Sequence, residues 1–253
     1  GVVEAAQVAR HLAILGSCAA ALARDDDQRH HYLATRAHYM RLAGAPDRLI
    51  DDHLEAQAVA TWVDKRSVRA NVKLATPEGT GLHVLDVAYS VLTPRMFARL
   101  QPGLEGPGPA AVDGVGDGDG AGQPPVPTAI EGGLRLDLGP IPASWCAGHF
   151  PDHPAAPVAI VMGELCRLAG RCAIEQAPGA EGYQIEQGFV EASALAVAGQ
   201  RLVLEATHDH VGPGGHVLHG RALADGEPVG AVDVTVSTWP PTAGSGPETA
   251  GAA

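Results

Sequence analysis

The stretch Trp145-Cys146-Ala147-Gly148-His149-Phe150-Pro151-Asp152-His153-Pro154-Ala155-Ala156-Pro157 concentrates residues able to hold a proton carrier in place. Prolines 151, 154 and 157 fix φ and stiffen the loop, so His149 has little freedom to wander. An imidazole titrates near neutral pH and, held in one position, can remove a proton and return it. The loop runs directly into a helix predicted from Val158 to Gln176. The first N–H groups of that helix can donate to negative charge developing on an oxygen. At the start of the chain Glu4, Gln7 and His11 stand at i, i+3 and i+7 and share one face of a helix predicted from Val2 to Ala23. A polar stripe on a helix wrapped by a sheet must be satisfied or functional.

Other reactive side chains point to less. His30-His31, His208-Asp209-His210, His216 and His219 offer imidazoles, and positions 208 and 210 of a strand face one side. No zinc spacing joins them, so they read as surface or cross-strand histidines, and no metal or cofactor is expected. The four cysteines, Cys18, Cys146, Cys166 and Cys172, are too scattered for a disulfide scaffold. They read as reduced thiols of a cytoplasmic protein, with Cys146 and Cys166 in the core or lining a pocket. Gly212-Pro213-Gly214-Gly215 reads as a hairpin turn, since no helix follows it.

These groups need elements to position them. Residues 102–128 are dominated by Gly, Pro and Asp and form a linker. Asp113, Asp117 and Asp119 within it lack the closing Glu of a calcium loop. The tail 241–253 is also low in complexity. Before the linker, residues 1–101 read as a helix followed by strands at 31–42, 53–63, 67–76 and 83–92. After it, residues 129–240 read as a strand at 133–139, the His149 loop, the 158–176 helix, and strands at 183–193, 200–211, 216–225 and 228–239. A helix followed by four strands, twice, is an internal repeat: an α+β plan in which each antiparallel sheet wraps one long helix. The first repeat lacks the leading strand and loop of the second. Gly1 falls inside an apolar helical pattern, which suggests that residues precede it.

The loop resembles the His-Phe-Pro-Gly-x-Pro-x-x-Pro-Gly signature of the hotdog-fold 3-hydroxyacyl-[acyl-carrier-protein] dehydratases, over Gly148–Pro151, Pro154 and Pro157. The resemblance implies a double hotdog, two repeats in one chain standing in for the usual dimer. It implies that His149 takes the proton next to the thioester carbonyl while an acid protonates the departing hydroxyl. Asp152 and Val158 replace two glycines of the signature, which changes the backbone angles open to the loop. The family's helix acid, fourteen residues after the histidine, is here Gly163, and Glu164 is turned from it by about 100°. The first-repeat helix should face His149, so Glu4 is the expected general acid, with Gln7 and His11 positioning substrate or water. Gln7 in the acid's place would donate a hydrogen bond but shuttle no proton. Phe150, Pro157, Val158 and Gly163 are expected along the substrate path.

The 253 residues carry 17 Lys+Arg and 29 Asp+Glu, a net charge of −12. That argues against a nucleic-acid partner and against an anionic membrane surface. No run of about 18 apolar residues exists, so nothing is expected to span a bilayer. The reading is therefore dehydration of 3-hydroxyacyl thioesters, on acyl-carrier protein or coenzyme A, in fatty-acid or polyketide biosynthesis. The alternatives are a hotdog thioesterase and a non-catalytic acyl-binding scaffold. Arg167 and Arg171, or Arg95 and Arg99, would offer an acidic carrier protein a basic patch. A homodimer of such double units stays open.

Overall fold

The computed structural model describes residues 4–24, 26, 28–46, 53–100, 125–146 and 154–240. The linker from 101 to 124, including Asp113, Asp117 and Asp119, the His149 loop from 147 to 153 and the tail lie outside the described residues. In the first segment α1 (Ala5–Leu22) precedes β1 (His31–Arg41), β2 (Glu55–Asp64), β3 (Ser67–Ala75) and β4 (Gly81–Leu92). A short α2 (Pro94–Leu100) and β5 (Thr128–Ile130) flank the linker. They are followed by β6 (Gly133–Pro140) and a single turn, α3 (Ala143–Cys146). Then come α4 (Val158–Gln176), β7 (Gly182–Ala192), β8 (Arg201–Gly212), β9 (Gly215–Ala224) and β10 (Glu227–Trp239).

Strand alternation dictates the packing. In β3 every second residue is buried, and in β4 His83, Leu85, Val87, Tyr89 and Val91 fall in one phase, all buried. The helices supply the other half of the core. α1 turns Val8, Leu12, Gly16 and Ala20 inward and packs on β2, β3 and β4. α4 is buried on more of its circumference, through residues such as Leu165, Leu168 and Ala169, and packs on β6 to β10. At Gly170 an added Cβ would lie 2.2 Å from the Tyr183 ring, so only glycine lets α4 sit this close to β7.

The strands do not form two separate sheets, as the repeat plan suggested. They form one ten-stranded sheet in the order β2-β3-β4-β1-β7-β10-β9-β8-β6-β5. Within each half the strand after the helix pairs with that half's last strand, and β6 and β5 extend only the second half. The halves meet where β1 pairs antiparallel with β7, from Arg36↔Glu191 to Met40↔Gln187. An Arg36–Glu191 ion pair at 2.9 Å and a His38–Gln187 contact at 2.9 Å cross this seam.

One expectation needs correction. α1 is 18 residues long with a mean hydropathy of 1.3, enough by length and composition to cross a membrane. Gln7, Arg10, His11 and Ser17 interrupt the apolar residues, so the run does not stand out by eye. Here α1 lies on the sheet with one face buried in the core.

Candidate active site

The two helices approach each other over the seam, and small residues keep them from closing it. α1 presents Ala5, Ala6, Ala9 and Ala13, and α4 presents Gly163, whose missing Cβ would stand 3.6 Å from that of Ala6. Between the helices, with β1 and β7 as floor, lies a cavity of about 90 Å³. Val158, Met162, Ile185 and Val190 line it, so its wall is almost wholly apolar. A shallow groove beside Pro157, Leu33 and Ile14 shares Arg10, Ala13, Val158 and Ala159 with the cavity. The cavity therefore reaches the surface at the N-terminus of α4, beside Pro157. An apolar space with few convergent polar groups is the usual form of a small-molecule site.

Pro157 is the N-cap of α4, in an extended conformation (φ −56°, ψ 132°). The N–H groups of Ile160 and Val161 bond back to its carbonyl. Those of Val158 and Ala159 stand ahead of the first helical bonds and face out of the helix end. An oxygen placed there meets backbone donors and the positive end of the helix.

The predicted site residues divide into three groups. Val158 and Gly163 line the cavity and Pro157 its entrance groove. His149 and Phe150 lie outside the described residues. Glu4, Gln7 and His11 are exposed and are not among the cavity lining. At about 100° per residue, Gln7 and His11 lie nearly opposite the Ala5–Ala9–Ala13 face that borders the cavity. Glu4 is the N-cap of α1, and the Gln7 side chain accepts its N–H at 3.3 Å. The Glu4 carboxylate accepts from Arg167 Nε at 2.8 Å, and Arg167 also bonds Glu164. Arg167 is thus engaged by carboxylates rather than held out to a carrier protein, whereas Arg171, Arg95 and Arg99 are exposed.

The cysteines are all free. Cys166 lines the cavity, and burial pushes its thiol up to about 12, so it is a neutral wall residue and not a nucleophile. Burial also raises the Cys146 thiol in the core. His208 and His216 contact each other at 3.2 Å, and His219 pairs with Asp233 at 2.6 Å. Among the described residues no three His, Cys, Asp or Glu side chains are grouped to hold a metal ion.

A buried polar pair beside the cavity, Tyr39 and His83, was not among the expected site residues. Tyr39 on β1 lines the cavity, and the Tyr39 hydroxyl lies 2.7 Å from Nδ1 of His83 on β4. The available signal was a histidine in the phase of the buried residues of β4, among Leu85, Val87 and Tyr89.

No protein-family model matches the chain, and no curated protein matches it. Solved structures do. A 12:0-ACP thioesterase from Umbellularia californica superposes with a TM-score of 0.60 at 12% identity, covering 94% of this chain and 91% of that one. A MaoC-like dehydratase gives 0.57 at 12%, covering 92% and 84%. A protein of unknown function with a hot dog fold from Alicyclobacillus acidocaldarius gives 0.54 at 10%, covering 94% and 88%. Further acyl-ACP and acyl-CoA thioesterases are among the matches. At such identities the likeness is one of fold: the chain has a hotdog-like fold built on one large antiparallel sheet.

Proposed function

We propose that this chain is an enzyme of acyl thioesters, a double hotdog whose two repeats enclose the acyl chain between α1 and α4. The observation that carries the reading is the apolar cavity over the β1–β7 seam, open at the N-terminus of α4. The thioester carbonyl would rest at that helix end, with its oxygen on the N–H groups of Val158 and Ala159. These donors strengthen their hold as the carbonyl oxygen takes on charge. The acyl chain would run inward along Met162 and Gly163, and the coenzyme A or acyl-carrier arm would leave through the Pro157 groove past Arg10.

Hydrolysis is the favoured reaction. His149 would draw a proton from water as that water attacks the carbonyl, and the thiolate of the carrier would leave as the tetrahedral intermediate collapses. Two facts support this over dehydration. Gly163 places no acid beside the cavity where the dehydratase signature would have one, and the Glu4 carboxylate is bound to Arg167 away from the lining. The thioesterases among the structural matches agree with it. Dehydration of a 3-hydroxyacyl thioester is the second reading, carried by the Gly148-His149-Phe150-Pro151 signature.

Mass spectrometry of the purified chain incubated with acyl-CoA and 3-hydroxyacyl-CoA separates them. Free acid and free thiol from both substrates support hydrolysis. Enoyl-CoA from the hydroxylated substrate alone supports dehydration. Unchanged thioester that still binds would leave only a scaffold.

A further inference from the structure

The two halves of the sheet end differently. β8 is the second strand after its helix, and its outer edge pairs with β6 from Gly133↔Thr207 to Pro140↔Arg201. β2 holds the matching place in the first half and is the last strand of the sheet, paired on one side only, with β3. Among the described residues nothing takes the part of β6 there. The opposite end of the sheet is β5, a strand of three residues, whereas β2 runs for ten. A bare strand edge is a template for pairing, and proteins blunt it with lysine, proline or a short strand. β2 has none of these. Between Glu55 and Asp64 it reads Ala-Gln-Ala-Val-Ala-Thr-Trp-Val, with no charge and no proline, and a bulge disturbs its ladder only at the Asp64 end. Ala58, Ala60 and Trp62 pack on the core beneath α1, while Val59 and Val63 stand 60% and 63% exposed on the other face. In a chain of net charge −12, such an uncharged stretch is where a like chain is repelled least.

The edge is also complementary to itself. Directly opposed residues of an antiparallel ladder point to one face, and both make or both miss the inter-strand bonds. Two copies of one strand therefore meet edge to edge only about a residue that lies opposite its own copy. Centred on Ala60, the ladder sets Ala60 against Ala60 and Ala58 against Trp62, small against large. On the outer face Val59 meets Thr61 and Val63 meets Gln57. Beyond them Glu55 of each strand comes opposite Lys65 of the other, an opposite-charge pair at both ends. Centring on Val59 or Thr61 instead sets Glu55 against Val63 or Ser67 and loses both pairs.

We infer that the free edge of β2 is the docking surface for a second copy of this chain. The two β2 strands pair antiparallel about Ala60 and continue the sheet from one chain into the next. A two-fold contact of this kind uses the same patch on both chains and closes on itself. It stands apart from the acyl-thioester reading and does not need it.

The test is sedimentation velocity of the full chain over a range of concentrations, in which the unsubstituted chain moves as a dimer at the upper end. Glu55→Lys raises the dimer dissociation constant about tenfold, and Lys65→Glu does the same, since each sets like charges together at both ends. Glu55→Lys combined with Lys65→Glu returns it to within about threefold of the parent value. Val59→Lys alters an exposed side chain, brings two lysines within diagonal reach of each other and leaves a folded monomer. Val211→Lys, at an equally exposed valine of β8, leaves the dimer intact. An unsubstituted chain that is monomeric throughout overturns the inference, whatever covers β2 instead. So does a dimer that withstands Val59→Lys, one that is lost in Val211→Lys, or a double charge exchange that fails to rescue.

Discussion

Arg167 Nε donates to Glu4 Oε2 at 2.8 Å, tying the first residue before α1 to the middle of α4 across 163 positions of sequence. Both partners remain well exposed, so the pair contributes no more than about 1 kcal/mol. Glu4→Gln should therefore lower stability only slightly and reduce thioester hydrolysis less than about threefold. Urea denaturation and steady-state kinetics check both. A loss of roughly a hundredfold or more, the scale of a missing general acid, would return Glu4 to the chemistry.

As the proposed proton carrier, His149 predicts that His149→Ala cuts turnover by about 10²–10⁴, since either reaction needs one. Binding of a non-reactive thioether should change little. Titration and turnover measured on the same preparation distinguish a missing proton carrier from a damaged pocket.

Gly163 offers a graded test of the cavity. The nearest atom to a Cβ there is Ala6 Cβ at 3.6 Å, ordinary contact. Gly163→Ala should raise the thermal midpoint, since alanine favours a helix interior by up to about 1 kcal/mol. Gly163→Leu should fill the acyl path and raise KM for long acyl chains far more than for acetyl-CoA. Equal effects on both substrates would place the chain elsewhere.

His83 sets a pH dependence with a defined sign. Its folded pKa of about 4 lies below the ordinary value of 6.5, through burial first and the Arg41 charge second. Between those values the unfolded chain binds more protons than the folded one, so stability is full above pH 6.5 and falls as pH drops toward 4. Over that window the loss approaches about 3 kcal/mol. His83→Gln should be less stable at pH 7 yet flatter below 6.5. Denaturant midpoints at several pH values for both proteins check the slope, and parallel profiles would refute it.

Most of the scaffold was legible because its signals are local. The helix predicted over 158–176 is α4 residue for residue, and the Gly212–Gly215 turn joins β8 to β9. The elements not foreseen, α2, α3 and β5, are seven residues or fewer, too short for a period to develop. The site was less legible. Periodicity put Glu4, Gln7 and His11 on one face, but it cannot say what that face meets. The cavity owes its space to what Ala5, Ala9, Gly163 and Gly188 lack, and an absent side chain gives no signal until the neighbouring element is known. The joining of the halves into one sheet depends on β1 finding β7, a pairing that no local pattern encodes.

That pairing has a consequence for the birth of the molecule. His38 and Gln187 are 149 residues apart. At a translation rate of about 5–20 residues per second, β1 waits roughly 7–30 s on the ribosome before its partner strand is made. For that interval the first half presents an open strand edge with Tyr39 and Met40 on it, a template for unwanted pairing with a neighbouring nascent chain. The same edge that later floors the cavity is thus left without its partner strand until the second half is made.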